Sequence, residues 1–173
     1  MTPVHSSDLD ETTRHDLDRS TFTAAMSRFA SGVTIVTTVD PAGVAHGFTA
    51  SSFCSVSLEP PLVLVCLARS ANSFPAFATC DRFAVSVLRA EQADLAMRFA
   101  RKGADKFAQG RFVLGAGGVT VVDGALALLE CTTERIDEAG DHVILLGRVR
   151  QARVDDGRPA VYFNRAFGTL VNP

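Results

Sequence analysis

Residues 33–39 read Val-Thr-Ile-Val-Thr-Thr-Val, an unbroken run of β-branched side chains. Two heavy atoms on each Cβ crowd the preceding turn of a helix and fit an extended, pleated backbone, so this run predicts a strand. Asp40-Pro41-Ala42-Gly43 follows as a turn, and a return strand beginning at Val44 carries His46 into the next stretch. The same rhythm recurs down the chain. Residues 62–67, 82–88, 119–122, 125–136, 142–154, 160–163 and 168–171 read as strands, with Asp137-Glu138-Ala139-Gly140-Asp141 as a hairpin loop.

Few segments have helical periodicity. Ser20 is placed to cap a helix presenting Phe22, Ala25, Met26 and Phe29, which Gly32 would end. Ser70 or Asn72 would cap a short helix carrying Phe74, Phe77 and Ala78, and residues 91–100 read as another helix with Leu95, Met97 and Phe99 partly buried. The charged segment 101–107 reads as a surface loop able to move over a ligand. Strands joined by tight turns, with so few helices between them, predict a mainly β (α+β) antiparallel barrel rather than βαβ units. Gly115-Ala116-Gly117-Gly118 lacks the preceding strand and following helix of a dinucleotide fingerprint, which disfavours a Rossmann domain.

At 173 residues the chain fits one domain, and 47% hydrophobic content is enough for a core. A net charge of −2 provides no broad basic field, so neither nucleic acid nor an anionic membrane is an expected partner. No apolar run approaches the ~20 residues that cross a bilayer. Residues 1–19, with Asp8, Asp10, Glu11, Asp16 and Asp18, lack the apolar centre of a signal peptide and read as a disordered acidic lead-in to a domain at 20–173. Cys54, Cys66, Cys80 and Cys131 show no metal-ligand spacing. They read as reduced packing residues with no metal site, which favours the cytoplasm.

The densest polar feature is Thr49, Ser51, Ser52, Ser55 and Ser57, set just ahead of the apolar run 62–67 and closed by Glu59-Pro60-Pro61. Buried hydroxyls are costly without partners, so such a row beside a core strand marks either a docking place for something polar or a solvated serine-rich loop. No GxSxG, HExxH or comparable nucleophilic set is present. Hydride transfer asks little acid or base of the protein, because the cofactor carries the chemistry, and it suits a chain rich in hydroxyls and poor in titrating groups.

Gly32-Val33-Thr34-Ile35-Val36-Thr37, then Thr49-Ala50-Ser51-Ser52-Phe53, then Ser55-Val56-Ser57-Leu58-Glu59-Pro60-Pro61-Leu62-Val63, and finally Gly140-Asp141-His142 resemble the short-chain NAD(P)H:flavin oxidoreductases, the reductase partners of two-component monooxygenases. Cys54 stands where that block often has Thr. The resemblance implies a Greek-key split barrel of the FMN-binding type and a homodimer with FMN or FAD at a cleft near the subunit interface. It also implies NADH or NADPH as hydride donor and a monooxygenase that takes the reduced flavin.

Carried over by position, Thr34, Thr49, Ala50, Ser51 and Ser52 fall along the flavin ring and ribityl chain, with Ser55, Val56 and Ser57 toward the phosphate. Cys66, Leu67 and Ala68 form a strand end on the flavin, and loop 69–73, with Arg69 and Ser73, forms a phosphate clamp. Phe99 and Lys106 belong to a second flavin-side segment, and Tyr162 and Arg165 fall against the same pocket. His142 falls beside the nicotinamide; without the resemblance, a His opening a strand reads first as a plain surface or turn residue. Two other readings stand beside the reductase: a flavin-binding module for storage or sensing without turnover, and a split-barrel oxidase acting on a vitamin B6 phosphate.

Overall fold

The computed structural model describes residues 17–103 and 105–170. The lead-in expected at 1–19 lies largely outside them. Where the described chain begins, helix α1 (Arg19–Met26) is capped by Asp18 rather than Ser20. The Asp18 carboxylate accepts the Thr21 backbone N–H at 3.0 Å and also the Ser20 hydroxyl, and these bonds hold its pKa down at about 2. An ionised carboxylate outcompetes a hydroxyl for the free N–H groups at a helix start. The helix stops at Ser27, well before Gly32, which lies in the short strand β1 (Ser31–Gly32).

The β-branched run forms β2 (Thr34–Val39) and pairs antiparallel with β3 (Ala45–Ala50) across the expected turn. Asp40 organises that turn, its carboxylate accepting the backbone N–H groups of Ala42 and Val44 at 2.9 Å each. The hydroxyl block divides at residue 50. Its first part ends β3, and its second part is a separate strand, β4 (Cys54–Leu58), which hairpins into β5 (Pro61–Ala68) through the cis Glu59–Pro60 bond.

Helix α2 (Phe74–Phe77) starts after Ser73, not after a side-chain cap at Ser70 or Asn72. Strand β6 (Arg82–Val87) follows, then a 3-10 turn (Ala90–Gln92) and helix α3 (Ala93–Ala100), on which Phe99 is buried but Met97 is exposed. Strands β7 (Phe112–Leu114) and β8 (Thr120–Val122) form a hairpin around the Gly115-to-Gly118 turn. The long strands β9 (Ala127–Ala139) and β10 (His142–Val154) meet at a two-residue turn, tighter than the expected five-residue loop. Short strand β11 (Val161–Phe163) pairs antiparallel with β1 on one side and with β12 (Ala166–Gly168) on the other.

The main sheet runs β3-β2-β6-β9-β10-β5-β4. Its first and last strands are consecutive in sequence, so the short link 51–53 joins opposite ends of one curved sheet, the antiparallel split barrel anticipated above. The Ser52 hydroxyl fastens that closure by accepting the Cys66 backbone N–H of β5 at 2.9 Å. Strand β2 is buried on both faces, which is why its β-branched run shows no polar alternation. Val36 faces the barrel core with Phe48, Val65, Phe77, Phe83 and Leu145. Ile35 faces a second core that includes Val33, Leu88, Ala96 and Phe99, where α3 packs on the barrel.

Candidate functional site

At the mouth of the barrel a cavity of about 380 Å³ collects chain ends from four elements. Phe48, Thr49 and Ala50 come from the end of β3 and continue into Ser51 and Ser52, while Cys66, Leu67 and Ala68 come from the end of β5. His142, the first residue of β10, pairs in register with Ala68 and so arrives on the same wall. Across from them stand Phe99 and Ala100 at the end of α3, then Arg101, Lys102 and Lys106. Loop residues Ser70, Ala71 and Asn72 close one side, held by the Arg69 backbone N–H donating to the Asp141 carbonyl at 3.0 Å.

Much of the hydroxyl content is spent on building this cavity. Thr49 donates to the Ala96 carbonyl of α3, and Thr34 donates to the Ala50 carbonyl at 3.0 Å. With Ser52 on β5, these bonds fix the β3 end against two neighbours. Ser51 is exposed at the cavity and makes no hydrogen bond among the described residues.

The His142 Nδ1 lies 2.6 Å from an Asp141 carboxylate oxygen. A carboxylate only accepts, so Nδ1 carries the proton and Nε2 is left as the ring nitrogen available to a ligand. The hydrogen bond holds the Asp141 carboxyl below its usual range. Lys106 donates to the Gly47 carbonyl at 2.8 Å and lies 6.0 Å from the Phe99 ring centroid. Burial pushes its ammonium pKa down. Three cations on one side of a cavity in a chain of net charge −2 make a local field suited to an anionic ligand. No cluster of potential metal ligands occurs among the described residues.

Of the residues expected at a site, Thr49, Ala50, Ser51, Ser52, Cys66, Leu67, Ala68, Phe99, Lys106 and His142 line this one cavity. The others lie elsewhere. Thr34 is buried beneath it. Ser55, Val56 and Ser57 sit on the edge strand β4. The Arg69 guanidinium turns to Glu138 at 3.3 Å rather than into the cavity, and Ser73 lines an adjoining one. Tyr162 packs on Phe167, ring centroids 5.4 Å apart, and Arg165 takes a positive φ in the β11–β12 turn. Sequence reasoning missed Phe48, Ala100, Arg101 and Lys102. The signal for the two cations was their place directly after the amphipathic α3.

A small split barrel whose mouth holds a cation-rimmed, hydroxyl-lined cavity of cofactor size defines the class. Residues 26–171 match the flavin reductase like domain, and the chain belongs to that family. It is 60% identical over 154 residues to the actinorhodin polyketide dimerase of Streptomyces coelicolor, covering 88% of this chain and 87% of that one. It is also 40% identical to an NADH:riboflavin 5'-phosphate oxidoreductase of Streptomyces pristinaespiralis, covering 92% and 93%. Among solved structures, the NADH:FAD oxidoreductase SgcE6 of Streptomyces globisporus C-1027, in complex with NAD and FAD fragments, superposes with a TM-score of 0.84 at 37% identity, covering 89% of this chain and 93% of that one.

Proposed function

We propose that this chain is an NAD(P)H:flavin oxidoreductase that reduces FMN or FAD and hands the reduced flavin to a partner monooxygenase. The carrying observation is the single cavity that joins the end of β3, the end of β5, loop 70–72, Lys106 and His142. Its volume falls within the range of small-molecule sites, and its lining fits a flavin. Apolar surface from Leu67 and Phe99 suits a planar ring, the free Ser51 hydroxyl suits ring or ribityl oxygens, and the cations with Asn72 suit a phosphate. When bound, the flavin supplies the ring that takes up hydride from a reduced nicotinamide.

The chain's own residues bind, orient and exclude water. Thr49 and Ser52 keep the β3 end rigid, so contacts there are set before any ligand arrives. Nε2 of a neutral His142 accepts a hydrogen bond, and a nicotinamide carboxamide N–H is a suitable donor. Relatives named as the reductase component of trigonelline monooxygenase and as the reductase subunit HsaB support the monooxygenase partner. Relatives named for NADH support that donor, with NADPH as the alternative. Their names also favour turnover over storage or sensing.

The four free cysteines support a cytoplasmic setting. No described helix is long and apolar enough to cross a membrane. The exposed apolar side chains Phe22, Met26 and Phe29 along and just beyond α1 support a homodimer. Following NAD(P)H oxidation with added FMN, FAD and riboflavin tests the reading. Turnover that depends on free flavin is expected, and a protein that binds flavin without oxidising NAD(P)H would overturn it.

A further inference from the structure

Charge is divided along this chain. Residues 1–16 set Asp8, Asp10, Glu11 and Asp16 against Arg14, a net −3, so residues 17–173 carry +1 where the whole chain carries −2. Part of that positive remainder is gathered at the cavity mouth, where Arg101, Lys102 and Lys106 stand on one side. Arg101 and Lys102 are exposed, and neither has an acidic partner among the described residues. Like charges set side by side raise the local potential, and a counter-charge at the rim lowers it.

The fold brings the acidic part of the chain to that mouth. Helix α1 is fixed at its far end by the Ser27 carbonyl, which accepts the Asn164 backbone N–H at 2.8 Å. Its first residue, Arg19, stands by the β9–β10 turn: the Asp141 carboxyl is held down chiefly by His142, and the Arg19 charge adds to the effect. Asp141 directly precedes His142, which lines the cavity, so the chain enters α1 beside the mouth. Asp18 is spent on the helix cap and takes no part. Sixteen residues reach up to about 50 Å when extended, more than enough to cross the cavity.

We propose that the acidic segment 1–16 docks on the rim formed by Arg101, Lys102 and Lys106 and competes there with anionic ligands. This rests on the flavin reductase reading of the cavity. A tethered segment is present at roughly millimolar effective concentration, so even a weak ionic contact holds a share of the rim. A phosphate-bearing ligand has to displace it, whereas riboflavin, which has no phosphate, makes no claim on the same cations. The segment thus sets how tightly FMN and NADH are held without touching the ring-binding wall.

The test is a full-length variant combining Asp8→Asn, Asp10→Asn and Glu11→Gln, compared with the parent at 0.15 M salt, where the screening length is about 8 Å and remote charges count for little. Dissociation constants for FMN and riboflavin are measured by flavin fluorescence, and the KM for NADH with riboflavin as acceptor. The variant is expected to lower the FMN constant and the NADH KM three- to tenfold, with riboflavin binding within twofold and the melting temperature unchanged. The gap is expected to close near 1 M salt, where the screening length is about 3 Å. A synthetic peptide of residues 1–16, added to the variant at millimolar concentration, is expected to raise the FMN constant back toward the parent's. Unchanged FMN and NADH constants, riboflavin tightening in step with FMN, or a peptide without effect each overturn the proposal while leaving the cavity's reading intact. A parent protein that binds neither flavin brings down both.

Discussion

His142 stands where strand register, a hydrogen bond and a cavity wall coincide, which makes it the sharpest single-residue test. His142→Ala is expected to lower kcat/KM for NAD(P)H about five- to hundredfold, worth about 1–3 kcal/mol, with flavin affinity nearly unchanged. Stopped-flow flavin reduction beside a melting curve separates this from a turn histidine, whose loss would change stability alone. Lys106 makes the opposite kind of test. A desolvated ammonium is a cost to the fold, so Lys106→Met is expected to melt at or above the parent temperature while FMN affinity falls about tenfold. Calorimetry and a flavin titration on the same preparation check both halves.

Histidine partners also set an acid limit on one turn. The Asp40 carboxyl is held below its ordinary value of 3.8, chiefly by His46 and then by the Val44 backbone N–H. A depressed carboxylate contributes stability above the unfolded value and loses it as pH falls through the lower folded one. Asp40→Asn should therefore melt below the parent at neutral pH, and the difference should close as pH falls through the carboxyl's depressed folded range. A gap independent of pH would assign the effect to the turn geometry alone.

At the scale of elements, the strand pairings leave glycines no freedom at two points. A Cβ at Gly147, next to a bulge in β10, would enter the Phe83 ring, with Cε1 at 2.8 Å and the Cys131 Cβ at 3.0 Å. At Gly168 in β12 it would meet nothing within 4 Å. Gly147→Ala is expected to cost about 1–3 kcal/mol in urea unfolding and Gly168→Ala well under 1 kcal/mol. Gly47 is the functional counterpart, since a Cβ there would lie 2.7 Å from Phe99, between the β3 end and the cavity floor. The Gly115-to-Gly118 turn wraps Glu130 instead of a nucleotide: Ala116 N–H donates to its carboxylate at 2.9 Å and Gly117 N–H does so as well. Strand β7 does precede this turn, contrary to expectation, and it is the missing following helix that excludes the fingerprint; a carboxylate 14 residues after Ala116 carries no local signal.

For the whole molecule, the uncovered surface points outward. Helix α1 buries no residue, and an eight-residue helix is marginal in water without packing. The Ser27 carbonyl accepts the Asn164 backbone N–H at 2.8 Å, tying the helix end to the β11–β12 turn while its apolar side stays exposed. Strand β4 is a sheet edge with Leu58 91% exposed. Such edges and faces need cover. Sedimentation is therefore expected to give a dimer at micromolar concentration, and Phe22→Ser with Phe29→Ser to shift it toward monomer. A parent monomer with full activity would refute this.

Local chemistry by itself determined where strands and turns fall, because β-branching, Pro-Pro and Asp-Pro-Ala-Gly act over a few residues. The run at 33–39, the turn after it and the β9–β10 hairpin were legible in that way, although the Asp18 cap was not, since Ser20 and Asp18 compete for the same N–H groups within one turn. The hydroxyls of the β3 end were legible as a possible polar docking place from the residues themselves, while the β5 end and His142 were legible as site residues only through the family motif. Tertiary structure alone decided what each polar group is for. Thr49 and Ser52 became struts because α3 and β5 happen to present a carbonyl and an N–H to them. Arg69 left the cavity because Glu138, far along the chain, stands beside it in the folded hairpin. Arg101 and Lys102 entered it because α3 ends at the barrel mouth. A hydroxyl or a guanidinium takes the nearest well-oriented partner, and which partner is nearest is a property of the closed barrel rather than of the residue's neighbours in sequence.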